Sequence, residues 1–372
     1  MKLKDVIESA NTGLDAIQRA PIVNYNTGIK CLRIGDISQK NNFENWGFSK
    51  VDEENYKKFK LKKNDILIAR TGNTIGVNII INKELNSVYN NGLIRLRIKN
   101  EYNPMYIYFL IQSKKFDNYI KSICFGTSTQ PNMKINDLLE FEIPDIELSK
   151  QNKIVNILKK IDDKIELNNQ TNDNLLKIGL ELLKEDFNKK TEYEVLSNAI
   201  KFVKGKKPLD ITPEIKEKYK KYLTIACLNG QELNYADPTK MVLSNNDLLM
   251  VMDGASSGDV YYAGQGIVAS TLSRVDCIDG NYISEFIYFI MKYYKDLIQS
   301  KNTGSAIPHT DKVFVGNLKV PKLLIEEQEK YKTLLYKILK NMNENKILEQ
   351  LRDTLLPKLM NGEIDLDKIE IY

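Results

Sequence analysis

The chain has one histidine and four cysteines in 372 residues. The lone His309 excludes metal centres built from several imidazoles and leaves little room for triad chemistry. Cys31, Cys124, Cys227 and Cys277 stand far apart with no Cys-x-x-Cys spacing. They read as reduced structural thiols of a cytoplasmic protein. No run of about 18 apolar residues occurs, which excludes a membrane-spanning helix. The opening Met1-Lys-Leu-Lys-Asp lacks the apolar core of a signal peptide. A phosphate loop of the form Gly-x-x-x-x-Gly-Lys-Ser/Thr is missing, as is a glycine-rich cofactor loop after a strand. Neither sign of charge dominates: 54 basic against 49 acidic residues leave +5. Any nucleic-acid contact must therefore come from local patches.

What the chain does contain, it contains twice. Asp65-Ile-Leu-Ile-Ala-Arg-Thr-Gly-Asn-Thr-Ile-Gly is matched by Asp247-Leu-Leu-Met-Val-Met-Asp-Gly-Ala-Ser-Ser-Gly. Gly126-Thr-Ser-Thr-Gln-Pro leads to Phe141-Glu-Ile-Pro and Gln151; Gly304-Ser-Ala-Ile-Pro leads to Leu318-Lys-Val-Pro and Gln328. Leu196 and Ala199 match Leu3 and Val6. Each glutamine opens a long apolar-periodic stretch poor in glycine and proline. The expected order is a globular unit over 1–148, a long helix over 149–190, a second unit over 191–325, and a second helix and tail over 326–372. Within the first unit, Ile29–Ile37 and Leu93–Ile98 alternate like strands, and Asp65–Ala69 reads as a buried strand. Pro104–Tyr119 starts like a helix, and Leu138–Ile143 reads as a closing strand. Tyr282–Ile298 is the counterpart helix.

The long stretches carry a heptad. Ile154, Ile161, Asn168, Leu175 and Leu182 recur every seven residues, a coiled-coil seam with one polar position. Tyr331, Ile338 and Asn345 keep the spacing of Ile154, Ile161 and Asn168. Leu348 and Leu355 then match Leu175 and Leu182 four residues early, like a stutter. Asn168 and Asn345 read in two ways: as a pair across an antiparallel seam that fixes its register, or each as a solvated kink. A helix of roughly 38 residues is about 57 Å long, against about 34–36 Å for one turn of B-DNA. Leu167, Leu180 and Leu183 are apolar positions open to a partner surface. The fold class is α+β: two similar mixed units and two long helices packed as an antiparallel coiled coil, an internal pseudo-two-fold repeat.

Together these features resemble the specificity subunit of Type I restriction–modification systems. The resemblance is carried by Asp65–Gly76, Gly126–Pro131, Ile143-Pro144 through Gln151, Ile161-Asp-Asp-Lys-Ile-Glu-Leu-Asn and the terminal Leu355-Leu-Pro-Lys-Leu-Met-Asn-Gly-Glu-Ile. It implies two target-recognition domains, each reading half of a bipartite double-stranded DNA site, with the helices setting the gap. It implies docking of two methylation subunits, with restriction subunits joining in the full complex. It also implies a bacterial or archaeal cytoplasmic protein that is itself non-catalytic and holds no cofactor. S-adenosylmethionine, ATP and Mg²⁺ would belong to the partner subunits.

The residues suggest where DNA would be met. Lys57, Lys58, Lys60, Lys62 and Lys63 form a run able to track phosphates; its bland reading is a solvated turn. Lys204, Lys206 and Lys207 flank Gly205 in the second unit. Base reading needs donors and acceptors at loop tips. Arg70, Asn73, Thr74, Thr127, Ser128, Gln130 and Asn132 are the candidates in the first unit, and Ser256, Ser257, Ser305 and His309 in the second. Such Ser and Thr residues also cap turns. Met252-Asp253-Gly254 replaces Arg70-Thr71-Gly72, so the second unit would read its bases differently: Asp accepts from cytosine N4, whereas Arg favours guanine O6 and N7.

Two other classes compete. Asn103-Pro104-Met105-Tyr106 looks like the motif with which amino-methyltransferases hold a flipped base, but equally like a capped helix start. Asp145, Glu147 and Lys150 suggest a nuclease site, yet their spacing is compressed and acids suit a helix N-terminus. Ser305, His309 and Asp311 share one short loop and suggest a triad by name only. A coiled-coil scaffold that binds protein alone is the third reading. No residue is assigned to catalysis or to metal.

Overall fold

The run Leu93–Ile98 is buried along almost its whole length, and this makes it the centre of a sheet. In the computed structural model, which describes all residues except 40, 125–131, 279, 305–306, 361–362 and 365–372, the chain forms two compact units. One comprises Met1–Ile165 with Lys346–Tyr372, the other Glu166–Asn345.

In the first unit Leu93–Ile98 lies between Ile7–Thr12 and Ile66–Ala69, with Asn78–Ile80 outside, all antiparallel. A smaller sheet joins Ile22–Val23, Phe48–Ser49, Lys30–Leu32 and Ser87–Tyr89, the last two parallel. The second unit repeats the plan. Leu272–Cys277 lies between Ile200–Lys204 and Leu248–Val251, with Val260–Tyr262 outside. Its smaller sheet also has one parallel pairing, Tyr222–Leu223 with Ile267–Val268. Each unit has two cores. In the first unit one core packs the central sheet against Pro104–Ile111, Lys114–Cys124 and the long-helix residues Ile154, Leu158, Leu356 and Leu359. The other lies against the smaller sheet.

Four local expectations change. Only Lys30–Leu32 of the 29–37 stretch is strand; the Asp36 carboxylate accepts from Arg33 N at 3.0 Å and starts a short helix, Ile34–Ser38. The 138–143 stretch continues a short helix, Ile135–Leu139, and then makes a single bridge from Glu142 to Lys2. The stretch from Pro104 divides into Pro104–Ile111 and Lys114–Cys124, because Ser113 Oγ accepts from Phe116 N and opens a new helix. Its counterpart divides likewise, into Ser284–Tyr293 and Lys295–Ser300.

The long helices are Leu148–Lys189, 42 residues, and Ile325–Met360, 36 residues, or about 63 and 54 Å. A buried glutamine holds the start of each. Gln151 Oε1 accepts from Asn103 N at 2.9 Å, and its Nε2 donates to Ile146 O at 2.7 Å. Gln328 Oε1 accepts from Ile283 N at 3.0 Å, and its Nε2 donates to Asn281 O and Leu323 O at 2.8 and 3.0 Å.

The helices run antiparallel. In the second unit Asn168 Nδ2 donates to Asn345 Oδ1 at 2.8 Å, and Asn345 Nδ2 donates to Asn169 Oδ1 at 2.8 Å. Asn341 Nδ2 donates to Asn172 Oδ1 at 2.9 Å. Further along, Asp186 accepts from Lys330 and from the Tyr331 hydroxyl; burial first, then this carboxylate, raises the Tyr331 pKa. In the first unit Arg352 Nη1 donates to Asp162 Oδ1 at 2.8 Å. The expected asparagine pairing is therefore present. Ile154, Ile161, Asn168, Ile338 and Asn345 are buried, and Leu175, Leu182, Leu348 and Leu355 are half-buried. Of the apolar positions expected to be open, Leu167 is exposed and Leu180 half-buried. Leu183 is fully buried in the second unit's core, which corrects its reading as a partner-facing residue.

Candidate nucleic-acid interface

Strand direction decides which loops meet. Thr12 pairs with Ile94 and Ala69 with Leu93, so Ile7–Thr12 and Ile66–Ala69 end on the same edge of the sheet. The chain leaves that edge through Gly13 and through Arg70. In the second unit Lys204 pairs with Ser273 and Val251 with Leu272. The exits there are Gly205 and Met252. Both glycines are needed: a Cβ at Gly13 would stand 2.2 Å from Tyr89 O, and at Gly205 2.1 Å from Ala269 O.

A second loop then joins the strand exit in the same way in each unit. Met133 N donates to Arg70 O at 2.8 Å, and Thr310 N donates to Met252 O at 2.8 Å. The residues just before, Asn132 and His309, form bridges to Thr71 and Asp253. The side chains diverge on this shared backbone. Arg70 Nη2 donates to Asn132 Oδ1 at 3.0 Å, while the buried Arg70 Nε has no partner. In the second unit His309 Nδ1 lies 2.7 Å from Asp253 Oδ1. His309 is also tied to Thr303 by two backbone bonds of 2.7 and 2.9 Å. Gly72 and Gly254 follow the exits with φ of +74° and +109°, a turn that disfavours side chains.

The structure brings together Arg70 and Asn132 in one unit, and Lys204, Lys206, Lys207 and His309 at the corresponding sheet edge of the other. The three lysines are exposed. It does not bring the Lys57–Lys63 run to that edge. Lys62 and Lys63 lead into the start of Ile66–Ala69, and Arg70 follows its end, so about 13 Å of strand separates them. Lys57 pairs with Glu53 at 2.6 Å, and Lys58 and Lys60 lie over the Phe59 and Tyr56 rings. Thr74 and Ser256 are half-buried in the turns after the exits. Ser257 is fully buried, and its hydroxyl sits 2.7 Å from Gly254 O and 2.8 Å from Pro308 O. It fastens the two loops to each other and is out of reach of a base, which corrects its choice as a reader. The side chain of Asn73, and Thr127, Ser128, Gln130 and Ser305, lie outside the described residues.

Several residues of the rival motifs take part in local structure. Asn103 Oδ1 accepts from Met105 N and Tyr106 N as a helix cap, and Tyr106 is buried in the core. Glu147 accepts from the Ser149 hydroxyl at 2.6 Å. Asp311 caps Lys312–Gly316, and the imidazole of His309 turns to Asp253 instead. Asp253 is the residue sequence reasoning undervalued; its signal was its place at the strand exit, one step before a repeated glycine.

Comparison with known proteins agrees with this architecture. Residues 1–177 match the family described as Type I restriction modification DNA specificity domain. The MjaVIII specificity subunit of Methanocaldococcus jannaschii is 28% identical over 143 residues, 38% of this chain and 34% of that protein. The chain thus spans only about a third of that relative. The MjaIX specificity subunit of the same organism is 24% identical over 307 residues, 71% of this chain and 70% of that one. The fold is that of the Type I restriction-modification S subunit from M. genitalium, with a TM-score of 0.51 and 18% identity over 97% of this chain and 95% of that one. Residues 1–177 are thus similar to Type I restriction–modification DNA specificity domains, and the repeated plan with its long helices shares the fold of a solved S subunit.

Proposed function

We propose that this protein is the sequence-reading, non-catalytic subunit of a Type I restriction–modification complex and recognises a bipartite DNA target. The observation that carries this is the two-loop junction built twice on the same backbone hydrogen bonds with different side chains, Arg70 with Asn132 and Asp253 with His309. A shared frame with unlike tips suits two half-sites of different sequence. Under this reading residues 1–148 and 191–325 act as target-recognition domains, and 149–190 and 326–372 as spacers. Lys204, Lys206 and Lys207 contact phosphates beside the second junction. Two methylation subunits dock to the chain, restriction subunits complete the nuclease, and S-adenosylmethionine, ATP and Mg²⁺ serve those partners. No described helix is long and apolar enough to cross a membrane, in keeping with action on cytoplasmic DNA.

The test is adenine-methylation mapping of the host genome with and without the gene. Loss of one bipartite motif is expected. An unchanged methylome, with the partner subunits expressed and active, would move the protein-only scaffold forward. Methylation or cleavage by the purified chain alone would favour an enzyme.

A further inference from the structure

The chain's only histidine sits at the tip of the second unit's junction, and its environment fixes more than its position. A carboxylate has no proton to give, so at the 2.7 Å contact the imidazole Nδ1 carries the hydrogen and Asp253 Oδ1 accepts it. In the neutral ring Nε2 then holds a lone pair. Among the described residues Nε2 has no hydrogen-bond partner, and the side chain is 51% exposed. The ring is held in place from three directions. The paired backbone bonds to Thr303 hold its main chain, Asp253 holds Nδ1, and Gly304 packs so closely that a Cβ there would stand 3.0 Å from His309 Cδ2. Asp253 itself sits at a strand exit whose frame is buried: Met252 is 3% exposed and Ser257, which ties Gly254 to Pro308, is 0% exposed.

We propose that His309 is a specificity-determining residue, accepting through Nε2 a hydrogen bond from the exocyclic amino group of a cytosine or adenine in one half-site, and that Asp253 is the positioning residue that sets its tautomer. The proposal rests on the DNA-reading function above. Only cytosine N4 and adenine N6 offer an amino donor in the major groove. Among the described residues the first unit shows no such imidazole–carboxylate pair: at the matching place Arg70 presents donors, one of them to Asn132 Oδ1. The two halves of the target therefore differ in the polarity of the edge they show to these tips.

The experiment uses the chain co-expressed and purified with its methylation subunits, and measures methylation rates on duplexes in which every base pair of both half-sites is replaced in turn. His309→Ala is expected to reduce discrimination about tenfold at one base pair of one half-site, with the other half-site unchanged. Asp253→Ala should weaken the same single position, and the double variant should be no worse than His309→Ala alone. A wild-type substrate whose base at that position lacks its amino group should show the same loss, with no further loss in His309→Ala. Should His309→Ala fail to assemble, His309→Asn must shift the same position. Unchanged preferences, or an equal slowing on all duplexes, would overturn the proposal and leave the pair as scaffold. If the wild-type complex recognises no bipartite motif, the functional reading itself fails; if it does and the variants change nothing, only this inference fails.

Discussion

The two units share backbone bonds more faithfully than side chains. Gly76 N donates to Ala69 O and Gly258 N to Val251 O, each at 2.9 Å. Leu3 N donates to Phe141 O and Leu196 N to Leu318 O, each at 2.8 Å. Between these fixed points the polar chemistry is rebuilt. In the first unit Asp65 is taken by Arg97 through two bonds of 2.8 and 2.9 Å, and Arg95, 3% exposed, keeps Nε and Nη1 without partners over the Tyr89 ring. In the second unit the residue at the place of Arg97 is Asp276, and it pairs with Arg274, the counterpart of Arg95. A duplicated frame can thus carry a different charge arrangement in each copy, provided the strand hydrogen bonds that define the sheet edge are kept.

The sharpest test of the shared frame is the glutamine at the start of each long helix. Gln328→Leu removes three hydrogen bonds at a site with 0% exposure. It leaves backbone groups of Ile283 and Leu323 buried without that partner, and should destabilise the second unit by about 3 kcal/mol. Gln151→Leu removes two bonds and should cost the first unit about 2 kcal/mol. Urea unfolding followed by probes in each unit separates the two effects. Equal, negligible losses would mean that the helix starts are held by apolar packing alone.

Next comes the charge arrangement. Arg274→Met deletes the partner of Asp276 and the 2.6 Å bond to Leu243 O, and should cost about 2 kcal/mol because a partly buried carboxylate loses its cation. Arg95→Met removes a buried guanidinium with two unsatisfied nitrogens and should be neutral or stabilising. Thermal unfolding of the two variants should therefore shift in different amounts, and a larger loss for Arg95→Met would invert the comparison.

Much of this was legible in the sequence, and the reasons are physical. The repeat showed itself because strand cores and glycine turns tolerate few residue types, so Asp65–Gly76 and Asp247–Gly258 stayed alike. The heptad showed itself because a buried seam must be apolar, and Asn168 and Asn345 stood out as its exceptions; their hydrogen bond follows from the cost of burying an unpaired amide. Less legible was anything that depends on which strand ends share an edge. Lys57–Lys63 reads as the best phosphate track by charge density, yet strand direction puts Lys62 and Lys63 at the far end from Arg70. Ser257 looks like an exposed loop serine until the second loop closes over it. The His309–Asp253 pair joins residues 56 apart, and no periodicity reports a contact between two loops.

The smallest expected effect distinguishes the units by their response to acid. Glu140 receives hydrogen bonds from Lys2 and Lys4, which tie the first helical turn to the end of Ile135–Leu139. These lysines, Lys2 first, hold its carboxyl at about 2, below the ordinary 4.5. A depressed carboxylate pKa stabilises the folded state above the unfolded value, and the contribution disappears as pH falls from about 4.5 towards 2. In the second unit the corresponding residues are Val195, Ser197 and Asn317, so this pairing has no counterpart at that place. Glu140→Gln should slightly destabilise the first unit at pH 6 and make no difference at pH 2, with the gap closing between. Because the pair is open to solvent, 1 M salt should shrink the pH 6 difference as well. Unfolding midpoints of the first unit measured across that range in both proteins decide it. A gap that persists at pH 2 would mean that Glu140 acts through its shape or its neutral hydrogen bonds, and the acid sensitivity of the two units would then have to be traced to another carboxylate.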